Sequence, residues 1–125
     1  MIGNKYLYSL YKYPDEDTSL NQLLEMLNTK EKDFIDSLYN EVNLEKCDED
    51  ELIYLTKAAA LIDYYLQIFG REVPSWLRNE KLSFETPYYH SKRLTDFEKV
   101  RLLYTSTAPF RARNVYFDLE SIKRI

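Results

Sequence analysis

The sequence predicts an all-α fold: a single compact domain of five to seven helices, with an irregular aromatic-rich loop and a short extended segment near the C-terminus. Three observations lead there. The chain has 125 residues, the size of one ordinary domain, and such a domain buries roughly two-thirds of its unfolded surface without disulfides or structural metals. Its apolar residues recur at helical spacing behind recognisable N-caps. It contains only 2 glycines, too few for the tight turns of a many-stranded fold or for a glycine-rich phosphate loop.

Tyr6, Leu7, Leu10 and Tyr11 form a helical stripe, whereas Tyr6-Tyr8 and Tyr11-Tyr13 alternate as a strand would. Helix is the expectation, closed by Pro14. Leu20, Leu23, Leu24 and Leu27 mark a helix from about Ser19 to Asn28, with Ser19 and Gln22 in the form of a capping box. Thr29 is then the expected cap of a second helix, with Glu31 and Asp33 in its first turn, Phe34, Ile35, Leu38, Tyr39 and Val42 on its apolar face, and Asn43 at its end. The run Asp48 to Glu51 supplies a cap and favourable dipole charge for the longest helix, about Glu51 to Phe69, with Gly70 as its C′ residue. Leu52, Leu55, Ala59, Ile62 and Leu66 mark one face of it, and Ile53, Ala60, Tyr64 and Phe69 extend the apolar surface around it. A helix apolar on more than one side belongs at the centre of a domain.

Beyond Gly70 the pattern changes. Pro74 precedes a single turn at Ser75-Trp76-Leu77-Arg78, followed by an irregular stretch from Lys81 to Leu94 that holds Phe84, Pro87, Tyr88, Tyr89 and His90. Thr95-Asp96-Phe97-Glu98 is another capping box and opens a helix to about Thr105. Thr107-Ala108-Pro109-Phe110 opens a further one, with proline in the first turn. Asn114 to Phe117 reads as extended, and Asp118 as the cap of a last short turn to Ile125.

Charge divides the chain. Residues 1–91 carry nine basic against seventeen acidic residues, a net of −8, while residues 92–125 carry eight against four, a net of +4. An acidic helical part, 1–70, thus leads into a loop-rich and basic part, 71–125. The basic residues are interleaved with Leu102, Leu103, Phe110, Val115, Phe117 and Ile122. A free arm would not carry that apolar load, so the last third is expected to wrap back across the central helix.

Several function classes are excluded or disfavoured. Apolar stretches around Ala58–Ile62 and Tyr64–Phe69 fall far short of the ~20 residues that span a bilayer. Met1 to Asp17 has neither a cationic leader nor an unbroken apolar run, so the expectation is a cytoplasmic protein. Cys47 is the single cysteine and lies among carboxylates that disfavour a thiolate. His90 is the single histidine, which removes any multi-histidine metal site, and no cofactor is expected. The stretch Leu20 to Val42 reads as helix, turn, helix, but its second helix bears Glu31, Asp33, Asp36 and Glu41 against Lys30 and Lys32, the wrong charge for a DNA recognition helix. The 12 tyrosines are the compositional anomaly; tyrosine suits both an outer core and a protein interface.

From Ala58 onward the order of features is familiar: Ala58-Ala59-Ala60, Pro74-Ser75-Trp76-Leu77, Pro87-Tyr88-Tyr89, Thr107-Ala108-Pro109-Phe110, and Arg113-Asn114-Val115-Tyr116-Phe117. This half of the chain resembles the C-terminal region of a family of small bacterial proteins, many of them regulators or antitoxin-like partners. The resemblance implies a cytoplasmic helical protein that binds another protein, such as a nucleotidyltransferase-type toxin encoded beside it, with DNA contacted through a separate region. Trp76, Phe110, Arg113 and Asn114 are the motif positions it singles out.

The leading functional expectation is a non-enzymatic protein-interaction module, antitoxin-like or regulatory, with homo-oligomerisation as a further possibility and nucleic acid disfavoured. One alternative is a small enzyme or ligand binder built on the loop around His90, with Tyr88, Tyr89, Arg111 and Arg113 as its polar groups. Another is a nucleic-acid-associated regulator that uses the basic C-terminal third. Within the C-terminal motif two roles stay open. Either Arg113 pairs with a carboxylate of the acidic helices while Asn114 holds a loop, or both contact a partner directly.

Overall fold

The computed structural model of the chain describes residues 2–90 and 94–117. Its spine is a helix over Glu49–Ile68, and the sequence explains both of its ends. Asp48 Oδ1 accepts from Glu51 N at 2.8 Å, and Glu51 Oε1 accepts from Asp48 N at 3.1 Å, a complete capping box. The helix begins two residues before the expected Glu51 because Glu51 is the third residue of the helix that this box opens. At the other end Gly70 takes φ 70, and the bonds Gly70 N to Gln67 O and Arg71 N to Leu66 O close a Schellman motif. Nearly every position from Tyr54 to Leu66 is buried, as the all-round apolar surface requires.

Around this spine, α4, stand α1 (Lys5–Tyr11), α2 (Glu16–Asn28) and α3 (Lys32–Ser37) before it, and α5 (Asp96–Thr105) and α6 (Ala108–Arg113) after it. Among the described residues these make six α-helices, with 3₁₀ turns at Leu44–Lys46 and Ser75–Arg78. The all-α class holds. The one addition is a two-residue parallel pair, β1 (Tyr88–Tyr89) with β2 (Val115–Tyr116), in the register Tyr88 to Val115 and Tyr89 to Tyr116. The two strands close the aromatic loop against the extended C-terminal segment. Helices α2 and α6 pack on α4, and α1 packs on α2.

Two further helices differ from expectation, each for a traceable reason. Helix α2 starts at Glu16 rather than Ser19, because Asp15 caps it through Asp17 N at 3.0 Å and Glu16 and Asp17 favour the positive end of its dipole. Ser19 is thereby released from capping and is buried; its hydroxyl donates to Leu10 O at 2.7 Å and bonds the Tyr54 hydroxyl at 3.1 Å, tying α1 to α4. Thr29, expected to cap the next helix, instead closes α2 by donating to Glu25 O at 2.9 Å. Lys30 reverses the chain at φ 53.

Helix α3 stops at Ser37 instead of running to Val42. The carbonyls that would continue the ladder are taken: Asn4 Nδ2 donates to Ser37 O at 3.2 Å, Trp76 Nε1 donates to Leu38 O at 2.8 Å, and the Ser37 hydroxyl donates back to Phe34 O at 2.6 Å. Leu38 and Val42 remain buried, but from turn and irregular backbone. The turn expected at Asp118 to Ile125 lies outside the described residues.

Candidate functional site

The C-terminal motif is built into the core. Helix α6 buries Pro109, Phe110 and Arg113 against α4, and the Phe110 ring lies 5.3 Å from Tyr64 and 5.9 Å from Phe117. Arg113 is 3% exposed. Its guanidinium donates to Asp63 Oδ2 at 2.9 Å, Leu77 O at 2.6 Å and Pro109 O at 2.7 Å, linking α4, the Ser75–Arg78 turn and its own helix. Asp63, 1% exposed on α4, also accepts from Gln67 at 2.8 Å and from Arg78 at 3.3 and 3.4 Å. Burial pushes the Asp63 carboxyl up, and the hydrogen bonds from Gln67, Arg78 and Arg113 more than reverse this, leaving it below the usual carboxylate range.

Asn114 follows in the left-handed region, φ 59 and ψ 35, a conformation asparagine tolerates better than most residues. Its amide donates to Phe84 O at 3.1 Å and Glu85 O at 3.4 Å, and its carbonyl oxygen accepts from the Tyr116 hydroxyl at 3.1 Å. Phe84 N to Arg113 O, Tyr88 N to Asn114 O and His90 N to Tyr116 O complete the seam at 2.9–3.0 Å. Arg113 and Asn114 thus take the geometry of a clasp, with Asp63 as the carboxylate. Arg111 is exposed.

The aromatic loop gathers a second group of polar side chains on the other side of α4. Lys57, buried on α4, lies 2.5 Å from Glu16 Oε1 and 4.0 Å from the centre of the Tyr88 ring. The Tyr88 hydroxyl is 3.3 Å from His90 Nδ1, and His90 Nε2 is 3.6 Å from Asp17 Oδ1. Burial holds the imidazole below its usual value against the opposing pull of Asp17 and Glu16, with Lys57 adding to the lowering. The ring is half-buried against Phe117, the two ring centres 4.7 Å apart. Tyr89 stacks on Tyr116 at 5.4 Å.

Of the residues singled out by sequence, the structure brings Tyr88 and His90 together and places Tyr89 beside them on β1. It does not bring the arginines to His90: among the described residues the contacts of that ring are with Tyr88, Asp17 and Phe117. Phe110, Arg113 and Asn114 serve the clasp. Trp76 is buried on the floor of a separate open groove of about 1120 Å³. Sequence reasoning missed Lys57 and the partners Glu16 and Asp63. The signal was present, because Lys57 and Asp63 interrupt a helix apolar on every side, and a charge there must find a partner.

Among the described residues no three His, Cys, Asp or Glu side chains are arranged to hold a metal ion, and no helix is long and apolar enough to cross a membrane. Burial, with Glu51 and Asp48, raises the Cys47 thiol above its usual value, so it is no ready nucleophile. Helix α5 carries exposed apolar side chains instead: Phe97 is 79% and Val100 49% exposed, one turn apart on its outer face. The chain matches no protein-family model, no curated protein and no solved structure.

Proposed function

We propose that the chain is a non-enzymatic protein-interaction module, an antitoxin-like or regulatory cytoplasmic partner of another bacterial protein. One observation carries this reading: the outer face of α5 exposes a phenylalanine almost completely, with a valine beside it, on an element whose start is fixed by a capping box. Large exposed aromatic residues on ordered helices are the anchors of protein interfaces. Support also comes from the engagement of Arg113 with Asp63, which takes one of the two arginines named by the ligand-binding alternative away from His90.

Co-expression with the product of the adjacent gene, followed by size-exclusion chromatography with light scattering, tests the reading. Wild type is expected to elute as a complex and the Phe97→Asp/Val100→Asp variant as the free, folded chain. Elution of wild type as a lone monomer, with the double variant indistinguishable from it, would overturn the proposal.

A further inference from the structure

The groove above Trp76 lies between residues 39–45 and 72–76, irregular segments that lead into the 3₁₀ turns at Leu44–Lys46 and Ser75–Arg78. Its floor is apolar, with Val42, Leu44 and Trp76 all buried. Its rim is acidic: Glu41, Glu45 and Glu72 line it against the single cation Lys81. Lys81 stands 3.9 Å from Glu45, and neither Glu41 nor Glu72 has an ion-pair partner among the described residues. One end is walled by Tyr39, whose hydroxyl donates to Glu72 O at 2.7 Å, with the Arg71 guanidinium 5.1 Å over its ring.

We infer that this groove binds an extended, lysine- or arginine-rich segment of a protein partner. The inference rests on the reading of the chain as a protein-interaction module and adds a second contact with a stated chemistry. Size argues first: about 1120 Å³ exceeds the ~300–1,000 Å³ typical of small-molecule pockets. Charge argues next, since a basic segment supplies the cations that Glu41 and Glu72 lack, and an acidic one is repelled. Backbone chemistry selects the conformation. The main-chain N–H groups of Glu41, Val42, Glu72 and Val73 donate to no acceptor among the described residues. An extended chain presents free carbonyls along its length, whereas the carbonyls of a helix interior are already used. Alternate apolar side chains of such a segment would then reach the Val42–Leu44–Trp76 floor while the basic ones meet the rim.

Trp76 is the chain's only tryptophan and so reports the groove directly. The probe is a short peptide of alternating lysine and valine, with a glutamate–valine peptide as counterpart, titrated against the full chain while Trp76 emission is recorded. The expected result is a saturable emission change with the lysine peptide alone, weakened at high salt. Binding should fall about tenfold or more in Glu41→Lys/Glu72→Lys, and should stay unchanged in Glu25→Lys/Glu85→Lys, which alters the net charge equally with exposed residues outside the groove. A silent Trp76, an equal response to the acidic peptide, or equal weakening in both double variants would overturn the inference. The Phe97→Asp/Val100→Asp variant is expected to bind the peptide as wild type does. A groove that fails while the α5 complex survives therefore removes this inference and leaves the wider reading standing.

Discussion

Helices α5 and α6 follow one another with only Ser106 and Thr107 between them, and their fates are opposite. Helix α5 has the better start: the Thr95 hydroxyl accepts from Glu98 N at 3.2 Å, and Glu98 answers with its carboxylate. It buries Leu102 yet leaves Phe97 and Val100 in solvent. Helix α6 has no side-chain cap bond at Thr107, but it sends Pro109, Phe110 and Arg113 into the core. The comparison separates two things a sequence pattern conflates. Local capping fixes where a helix begins, whereas burial depends on whether its apolar face meets α4.

The sharpest way to break this contrast is at the clasp. Arg113→Ala leaves Asp63 buried with the neutral Gln67 amide and the longer contacts from the half-exposed Arg78, and losing one partner of a buried pair costs about 3–5 kcal/mol. In a chain of this size that is a fall of roughly 10–20 °C in Tm, read by thermal circular dichroism. Arg111→Ala, an exposed change two residues earlier, is expected within about 0.5 kcal/mol of wild type. Because the Asp63 carboxyl is held below its usual value, its contribution is present above the unfolded pKa of ~3.9 and is lost as pH falls further. An Arg113→Ala chain as stable as wild type would show that α6 is held by apolar packing alone.

Asn114 comes next in size. Asn114→Ala places a Cβ residue without local hydrogen bonding at φ 59 and removes the ties to Phe84 and Glu85. The expected loss is about 1–3 kcal/mol in urea denaturation. Asn114→Gly keeps the backbone freedom and isolates the hydrogen-bond share. Equal stability of all three chains would mean that the seam between β1 and β2 holds the loop without this side chain.

What was legible in the sequence was local. The cap within Asp48 to Glu51, the box at Thr95/Glu98, the glycine closing α4 and the proline in the first turn of α6 each act within four residues, and the elements begin or end within two residues of where they say; the Ser19/Gln22 box misled because Asp15 caps α2 first. What was not legible depends on contacts made across the chain. Helix α3 is cut short by Asn4 and Trp76, 33 and 38 residues away from the carbonyls they occupy. The β1–β2 pair joins residues 27 positions apart, as Tyr88 does with Val115. A carboxylate partner for Arg113 followed from charge segregation, but its identity as Asp63 followed only from the register in which α6 meets α4.

A smaller effect concerns pH. His90 faces Asp17 and Glu16 from α2, Lys57 from α4 and Tyr88 from β1. Burial lowers its folded pKa despite the carboxylates, so between the folded value and the unfolded ~6.5 the unfolded chain binds more protons. Stability is therefore full above ~6.5 and declines as pH falls through that value toward the folded pKa. His90→Gln should flatten the stability profile between about pH 7 and 5. A profile that rises on acidification in that window would mean that the pairing with Asp17 outweighs burial.

The smallest expected change in stability returns to α5. Phe97 is 79% exposed, so in the isolated chain its ring contributes little to folding, and Phe97→Asp is expected to alter stability by no more than about 0.5 kcal/mol. Asp also suits the first turn of a helix, near the positive end of the dipole, which offsets part of any lost contact. Helix α6 gives the reference: Phe110→Ala, at a fully buried ring, should cost about 3–5 kcal/mol. Chemical denaturation of the two variants side by side measures the contrast directly. A residue neutral to folding and decisive for association belongs to an interface. Were Phe97→Asp to destabilise the isolated chain as Phe110→Ala does, Phe97 would be packed within the folded monomer in solution, and the outer face of α5 would lose its claim as a docking surface.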